Sequence, residues 1–305
     1  MEMIDGTLQV DTLLTVTLGI VVLFAGKRLN DGIGFLRNFS IPEPVSGGLL
    51  FTVLFMLVYA ITGVEVEFDL AARDILLVYF FTTIGINASF RDLLSGGKPL
   101  VILLAITIVY MVVQNLTGIS VAALFDLPTA VGMLGGTVSL IGGHGTAIAW
   151  APRIAEDFGI TNAMEIGVAS ATFGLILASL MGGPIAKFLI SRNNLKPTKV
   201  EPLDIGAAED QPAKPVTYLD FLDAVLAIHI SAIIGILLNE ALVEAGLKLP
   251  LFVTCLFAGI LITNLIPDNF PRLTGTKWPS RTPAMALIAE ISLGTFLAMS
   301  LMSMQ

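Results

Sequence analysis

The chain has 305 residues, of which 55 % are hydrophobic and 13 % charged, with a mean hydropathy of +0.88 and a net charge of −8. Because a soluble domain carries about 25 % charged residues, this composition excludes a soluble enzyme, and the acidic balance excludes a disordered or nucleic-acid-binding chain. The single cysteine, Cys255, excludes a disulfide framework and a cysteine-based metal cluster. We therefore predict an all-α integral membrane protein of the transporter or channel type.

Long apolar runs recur along the chain, and about 20 apolar residues in a helix are enough to cross the hydrocarbon core. These runs are longer and more uniformly apolar than the alternating strands of a membrane barrel. No positive region precedes the first run, so we predict a retained helix and not a cleaved signal. The predicted segments are 7–26, 45–62, 75–89, 99–125, 129–151, 163–190, 218–239, 249–266 and 283–304.

The distribution of Lys and Arg predicts that segment 129–151 is re-entrant. Cytoplasmic loops of membrane proteins collect basic residues. If the segment enters from outside and returns, and the N-terminus is outside, 13 of the 16 basic residues lie inside; only Arg73, Arg153 and Lys248 remain outside. If it crosses fully, only 7 lie inside. The charge bias therefore favours a re-entrant hairpin.

The composition of this segment agrees, because six glycines occur between positions 132 and 145. Glycine lets the backbone approach a ligand, and irregular backbone at membrane depth occurs only where it is buried in protein or lines a wet cavity. Close helix packing through small residues is the alternative, although it poorly explains the sequence Gly-Gly-His-Gly-Thr. Free N–H groups and helix dipoles at such a tip attract anions. We predict a substrate site formed by Ser139, Gly142, Gly143, His144, Gly145 and Thr146.

Polar residues in the apolar runs are further candidates. We predict ligands of a coupling ion, by their oxygen atoms, at Thr83, Asn87, Thr137 and Thr172; that this ion is sodium is implied only by the family resemblance given below. An interhelical hydrogen bond is the equal alternative for Asn87, and a structural hydrogen bond is the alternative to substrate contact or proton transfer for His144. His229 and Glu290 lie in later apolar runs and receive no role here.

A helix cap is the favoured interpretation of two polar residues before the sixth run. Asn162 stands at the predicted N-cap and Glu165 three residues later, as in a capping box. Both side chains are therefore predicted to close the start of a helix and not to belong to the site.

The polar, proline-rich stretch 191–217 predicts a cytoplasmic linker that divides the chain. Residues 1–190 would form a first repeat of five spans plus the hairpin at about 129–151, and residues 218–305 three spans of a second repeat. The prolines that open the segments at 45 and 249, and the opposite orientation of the two halves, are typical of inverted-repeat transporters. A second glycine-rich hairpin does not follow within this sequence, so we expect the second repeat to be incomplete.

Four motifs resemble the bacterial glutamate:sodium symporters of the ESS family. They are the sequences at 41–49 (Ile-Pro-Glu-Pro-Val-Ser-Gly-Gly-Leu), 82–87 (Thr-Thr-Ile-Gly-Ile-Asn), 142–146 (Gly-Gly-His-Gly-Thr) and 171–174 (Ala-Thr-Phe-Gly). The resemblance runs along the whole chain. It implies two inverted repeats, each with a re-entrant loop, and sodium-coupled glutamate import across the bacterial inner membrane. It further implies an elevator motion against a homodimeric scaffold, as in the related citrate carriers.

Family members are about a quarter longer than this chain, so we expect that the missing part carries the last two spans and the second loop. Whether this chain alone is active is left open by the sequence. The residues themselves leave open whether the coupling ion is sodium or a proton and whether the substrate is glutamate or another small carboxylate. A passive channel is a further alternative. An intramembrane hydrolase using Ser139 and His144 lacks a nucleophile elbow, and no nucleotide-binding loop is present, so neither an enzyme nor a cofactor is expected.

Overall fold

A computed structural model describes residues 2–4, 7–38, 41–95, 97–195, 216–247, 249–266 and 278–303. Three short strands are present, β1 (Glu2–Ile4), β2 (Thr7–Val10) and β3 (Glu65–Phe68). The helices are α1 (Thr12–Gly32), α2 (Gly34–Asn38), α3 (Glu43–Thr62), α4 (Ala71–Asn87), α5 (Phe90–Ser95), α6 (Gly97–Leu124), α7 (Thr129–Met133), α8 (Gly143–Phe158), α9 (Ala163–Arg192), α10 (Tyr218–Glu244), α11 (Leu251–Leu265) and α12 (Pro283–Met302). A π-helical segment, Leu134–Val138, continues α7.

The predicted all-α membrane architecture is confirmed. Within the described residues, six helices are long and apolar enough to cross a bilayer: α1, α3, α6, α9, α10 and α12. The segments 129–138 and 251–265 are apolar but shorter. The predicted linker 191–217 lies mostly outside the described residues, which stop at 195 and resume at 216.

The start of the first predicted helix was wrong, because residues 7–10 form β2 and the helix begins only at Thr12. Strand β2 lies between β1, to which it is antiparallel, and β3, to which it is parallel. Polar and apolar residues alternate in 7–10, as is typical of a strand with one face exposed. Asp11 is the helix N-cap, and its carboxylate accepts a hydrogen bond of 3.0 Å from the Leu14 N–H.

Two helix pairs, α1 with α3 and α10 with α11, share the same kind of hydrogen bond between their helices. In each pair an asparagine near the end of the first helix donates to the carbonyl oxygen just before the proline that caps the second. The Asn30 Nδ2 group lies 2.8 Å from the Ile41 oxygen, and the Asn239 Nδ2 group lies 2.9 Å from the Leu249 oxygen. Pro42 and Pro250 are the two N-caps. The spacings from asparagine to acceptor are similar, 11 and 10 residues, and the two pairs have similar antiparallel packing.

Close backbone contact repeats in both pairs four residues before the asparagine. A Cβ atom added to Gly26 would lie 1.9 Å from the carbonyl oxygen of Glu43 in α3. A Cβ atom added to Gly235 would lie 2.5 Å from the Cα atom of Cys255 in α11. Only glycine permits this approach. In each pair the motif Gly-x-x-x-Asn therefore provides both the close backbone contact and the hydrogen bond between the two helices.

Helices α1, α3 and α4 form one set of three, and α10, α11 and α12 form another. The third helix of each set packs against the second helix of the other set. Helix α4 lies along α11, and α12 lies along α3. In both contacts a threonine hydroxyl donates to a backbone carbonyl oxygen of the facing helix: Thr263 to Ile86 at 2.8 Å, and Thr52 to Leu301 at 2.6 Å. The six helices therefore form one interlocked bundle, in which α12 carries a run of fully buried residues from Phe296 to Met302.

Helices α6 to α9 form a second group beside this bundle. Helix α9 packs on α8 and on the π-helical segment, and α6 packs on α7. The second group meets the bundle where Ile148 of α8 lies in one hydrophobic cluster with Phe296 of α12. Trp150 of α8 also contacts Phe252 of α11, edge to face. This junction positions the glycine-rich segment.

Candidate functional site at the helical hairpin

The glycine-rich segment folds into two helical legs joined by a tight turn. The first leg is α7 with the π-helical segment, the second is α8, and residues 141–142 form the turn between them. Ala130 at the start of the first leg shares a hydrophobic cluster with Ile154 near the end of the second. The legs therefore run antiparallel, and the tip lies at residues 139–143.

The first leg is held to α6 by polar side chains. The Thr137 N–H donates to Asn115 Oδ1 at 3.1 Å, and the Thr137 hydroxyl lies 3.1 Å from both the Met111 carbonyl oxygen and Gln114 Oε1. Gly136 has non-helical backbone angles, φ −103° and ψ −131°, so its neighbours need partners outside the leg. Thr137, a predicted sodium ligand, thus commits its hydroxyl proton to α6, and only oxygen lone pairs remain for an ion.

Ser139 is the buried polar residue at the base of the tip. Its side chain is almost fully buried, and its hydroxyl has no hydrogen-bond partner within the described part of the chain. A Cβ atom on Gly167 of α9 would lie 3.7 Å from this hydroxyl. A buried hydroxyl without a partner costs about 1–3 kcal/mol, so Ser139 is available to bind a ligand at this place.

The two glycines of the turn have different constraints. Gly143 has a φ of +72°, which residues with a side chain rarely adopt, although nothing lies within 4 Å of a Cβ atom added there. At Gly142 an added Cβ atom would lie 2.4 Å from the Val138 carbonyl oxygen and 2.5 Å from the Thr146 Cβ atom. The turn is therefore fixed by backbone angle at one glycine and by lack of space at the other.

His144 joins the tip to α9. The imidazole is buried, and its Nε2 atom lies 2.9 Å from the Thr172 hydroxyl oxygen. That hydroxyl donates its own proton to the Val168 carbonyl oxygen, at 2.9 Å. Because a threonine hydroxyl has one proton, Nε2 must carry a hydrogen and donate it to Thr172. The predicted residues His144 and Thr172 thus lie together, joined by a structural hydrogen bond.

A cavity of about 760 Å³ opens beside the tip. Its wall contains four of the predicted substrate residues, Gly142, His144, Gly145 and Thr146. The facing walls come from α1, α3, α4 and α12, and include Phe80 of α4 and Leu293 of α12. Pockets that bind small molecules commonly have about 300–1,000 Å³. The N-terminal end of α8, 16 residues long, therefore faces a space large enough for a small anion.

The other two predicted sodium ligands lie elsewhere. The Thr83 side chain is buried, but its hydroxyl donates to the Phe80 carbonyl oxygen of its own helix at 2.7 Å. Asn87 ends α4, and its Oδ1 atom accepts the Arg281 N–H at 2.7 Å. Asn87 therefore connects α4 to the segment before α12, as the hydrogen-bonding alternative expected, and neither residue lines the cavity at the tip.

The predicted helix cap at Asn162 was wrong. Asn162 occupies the N-cap position of α9, but its backbone has φ −98° and ψ 29°, and its side chain makes no capping hydrogen bond. A capping side chain requires an extended backbone at that position. The Glu165 Oε2 atom is instead buried without a partner within the described residues, beside Tyr59 and Met302 in a separate cavity.

Sequence reasoning also missed two polar anchors. Gln114 and Asn115 break an apolar helix and hold the hairpin, and their adjacent amide groups at membrane depth were the available signal. His229, given no role from the sequence, hydrogen-bonds to the Tyr79 hydroxyl across α4 and α10. The two residues are 150 positions apart in the chain, so no local sequence pattern predicts their contact.

Comparison with known proteins identifies the family. The family model described as "Sodium/glutamate symporter" matches residues 8–305. A curated sodium/glutamate symporter of Escherichia coli (strain K12) is 35 % identical over 300 residues, which cover 97 % of this chain and 73 % of that protein. A second, from Haemophilus influenzae, is 35 % identical over 295 residues, covering 95 % of this chain and 72 % of that protein. No solved structure matches the chain.

These relatives are symporters and not enzymes, which agrees with the apolar helices and with the hairpin beside its cavity. The match extends through both helix groups. The chain belongs to the sodium/glutamate symporter family.

Proposed function

We propose that the protein imports glutamate together with sodium ions, as a secondary active transporter in the bacterial inner membrane. The observation that carries this proposal is the hairpin, whose second leg directs its N-terminal end at a cavity of about 760 Å³. The positive end of a helix dipole and free N–H groups favour a carboxylate there. The related proteins are sodium/glutamate symporters, and this is our basis for choosing glutamate as the substrate and sodium as the coupling ion.

We assign the substrate carboxylate to the tip, where Gly142, His144, Gly145 and Thr146 line the cavity. Gly143 and Ser139 do not line it, and the unpartnered Ser139 hydroxyl lies toward Gly167 of α9, so Ser139 is a weaker candidate for substrate contact.

Sodium would use oxygen ligands such as Thr137 of the first leg and Thr172 of α9, which lies beside His144; the hydroxyl oxygens of both threonines retain lone pairs. Thr83 and Asn87 remain weaker candidates, because their hydrogen-bond partners lie in α4 and in the segment before α12, and not in the hairpin or α9.

The transport cycle that we propose is an elevator motion. The group α6 to α9, which carries the hairpin, would slide against the six-helix bundle of a homodimer. The matched contacts of α1, α3 and α4 with those of α10, α11 and α12 support two repeats of opposite orientation. The junction around Ile148, Phe252 and Phe296 is apolar, which suits a sliding surface. An outside N-terminus follows from the charge bias.

Uptake of labelled glutamate by the natural protein in proteoliposomes tests this function. An inward sodium gradient should drive accumulation above equilibrium, and unlabelled glutamate outside should exchange with labelled glutamate inside. A channel would instead conduct without saturation or exchange. If a proton gradient alone drove uptake as well as a sodium gradient, sodium coupling would be wrong.

Single cysteines in a Cys255-free background test whether the hairpin is re-entrant. Asp126, in the turn before α7, and Asp157, near the end of α8, should both react with an impermeant reagent from outside the cell. A cysteine at Pro212, in the linker beyond the described residues, should react only from the cytoplasmic side. A segment that crossed the membrane fully would place positions 126 and 157 on opposite sides.

A further inference from the structure

Glu290 is a carboxylate in the apolar helix α12, and it lines the cavity at the hairpin tip. It lies three residues before Leu293, whose Cδ1 atom would be 3.8 Å from a Cβ atom on Gly145 of the tip. In the described part of the chain, no hydrogen bond or ion pair engages the Glu290 side chain. Ionisable residues within apolar helices are usually functional, and Glu290 is not among the residues assigned to the substrate or to sodium.

Lys27 of α1 lines the same cavity at the same level. Helices α1 and α12 run antiparallel, because Gly19 approaches Met299 and Leu23 approaches Gly294. One further turn along each helix brings Lys27 level with Glu290. Lys27 also has no ion-pair partner among the described residues. The wall thus contains one cation, Lys27, and two carboxylates, Glu290 and Glu43, with the hairpin tip beside them.

We propose that the Glu290 carboxylate binds the ammonium group of the substrate, and that it makes the cavity selective for α-amino dicarboxylic acids over plain dicarboxylic acids. This inference rests on the proposed function. A zwitterion with an added carboxylate would place its ammonium group on Glu290 and its carboxylates on the tip and on Lys27. Both side chains are exposed to the cavity, and a hydrogen bond between charged groups is about twice as strong as one between neutral groups.

Glu43 is the other carboxylate in this wall, but its position explains its charge without a ligand. It lies in the first turn of α3, where the helix dipole favours an acidic residue. Glu290 is the eighth residue of α12, beyond the first turn in which the helix dipole acts, and has no such compensation. The two residues therefore provide a matched pair: the same cavity and charge, with different predicted roles.

Glu290→Gln tests the inference by separating two ligands that differ only in the amino group, L-glutamate and glutarate. Loss of a charge-assisted hydrogen bond should weaken glutamate about 10- to 100-fold, read as the half-saturation constant of sodium-driven uptake. Inhibition by glutarate should stay unchanged or become stronger, because a carboxylate that repels it has gone. Equal weakening of both ligands, or no change in their ratio, would overturn the inference.

Three further variants sharpen the result. Glu290→Asp should keep most of the preference for glutamate, Glu43→Gln should keep all of it, and Lys27→Gln should weaken both ligands alike. If Glu290→Gln does not transport, the relative affinity for glutamate and glutarate is measured in detergent, from the rise in melting temperature that each ligand causes. A rise in the sodium half-saturation constant with an unchanged ligand ratio would assign Glu290 to sodium and contradict the inference. Absence of sodium-driven glutamate uptake by the unaltered protein would instead contradict the proposed function.

Discussion

Replacing Gly142 by alanine should abolish sodium-driven glutamate uptake, or raise the half-saturation constant at least about 10-fold, at normal protein abundance in the membrane. The added Cβ atom would meet the Val138 carbonyl oxygen at 2.4 Å, and this backbone atom cannot move without displacing the tip. Overpacking of this kind costs about 1–3 kcal/mol. The tip would shift away from the cavity that we assign to the substrate.

Two neighbouring glycines provide matched controls for this prediction. Gly145→Ala should lower uptake less than Gly142→Ala does, since its Cβ atom would make ordinary contacts with Phe296 and Leu293 at 3.7 and 3.8 Å. Gly143→Ala should have an intermediate effect, because its φ of +72° strains an alanine by about 1–2 kcal/mol without a clash. Normal uptake by all three variants would place the substrate site away from the hairpin.

Removing the acceptor of the His144 hydrogen bond should have the second large effect. In Thr172→Val the Nε2–H group of His144 loses its partner while still buried, at a cost of about 1–3 kcal/mol. We expect a lower melting temperature and a weaker affinity for glutamate. The double variant His144→Ala/Thr172→Val should be barely worse than His144→Ala alone, because the two changes remove one shared interaction.

The pH profile distinguishes this structural role from proton transport. Since His144 holds the tip to α9, His144→Asn should lower uptake while the shape of its pH dependence stays the same. Thr82→Val, which also removes a buried hydroxyl but one that bonds within α4, serves as the control. A flat pH profile in His144→Asn alone would mean that His144 carries a proton.

The helices that cross the membrane were predictable because each is a long apolar run with clear ends. Pro42 and Pro250 mark the starts of two helices, α3 and α11, which begin within two residues of the predicted positions. The first helix began later than expected because hydropathy does not separate a short strand from the apolar helix that follows it. The N-cap signal at Asp11 was present in the sequence and would have corrected the boundary.

The candidate site was predictable only in its local part. The tip residues are neighbours in sequence, so the glycine pattern identified Gly142, His144, Gly145 and Thr146 together. The walls around them come from helices far away in the chain, and apolar periodicity does not report which helices meet. The partner of Asn87 is the backbone of a residue 194 positions away, and the level matching of Lys27 and Glu290 depends on the packing of α1 against α12.

Alkylation of Thr146→Cys, in a protein without Cys255, tests most directly whether glutamate binds at the hairpin tip. Thr146 lines the cavity and lies on the first turn of α8. We predict that glutamate with sodium slows modification of this cysteine, whereas either ligand alone protects less, and that a cysteine at Thr117 in a separate cavity beside α6 is unaffected. Equal reaction rates at position 146 with and without glutamate and sodium, in protein that still transports, would contradict the account.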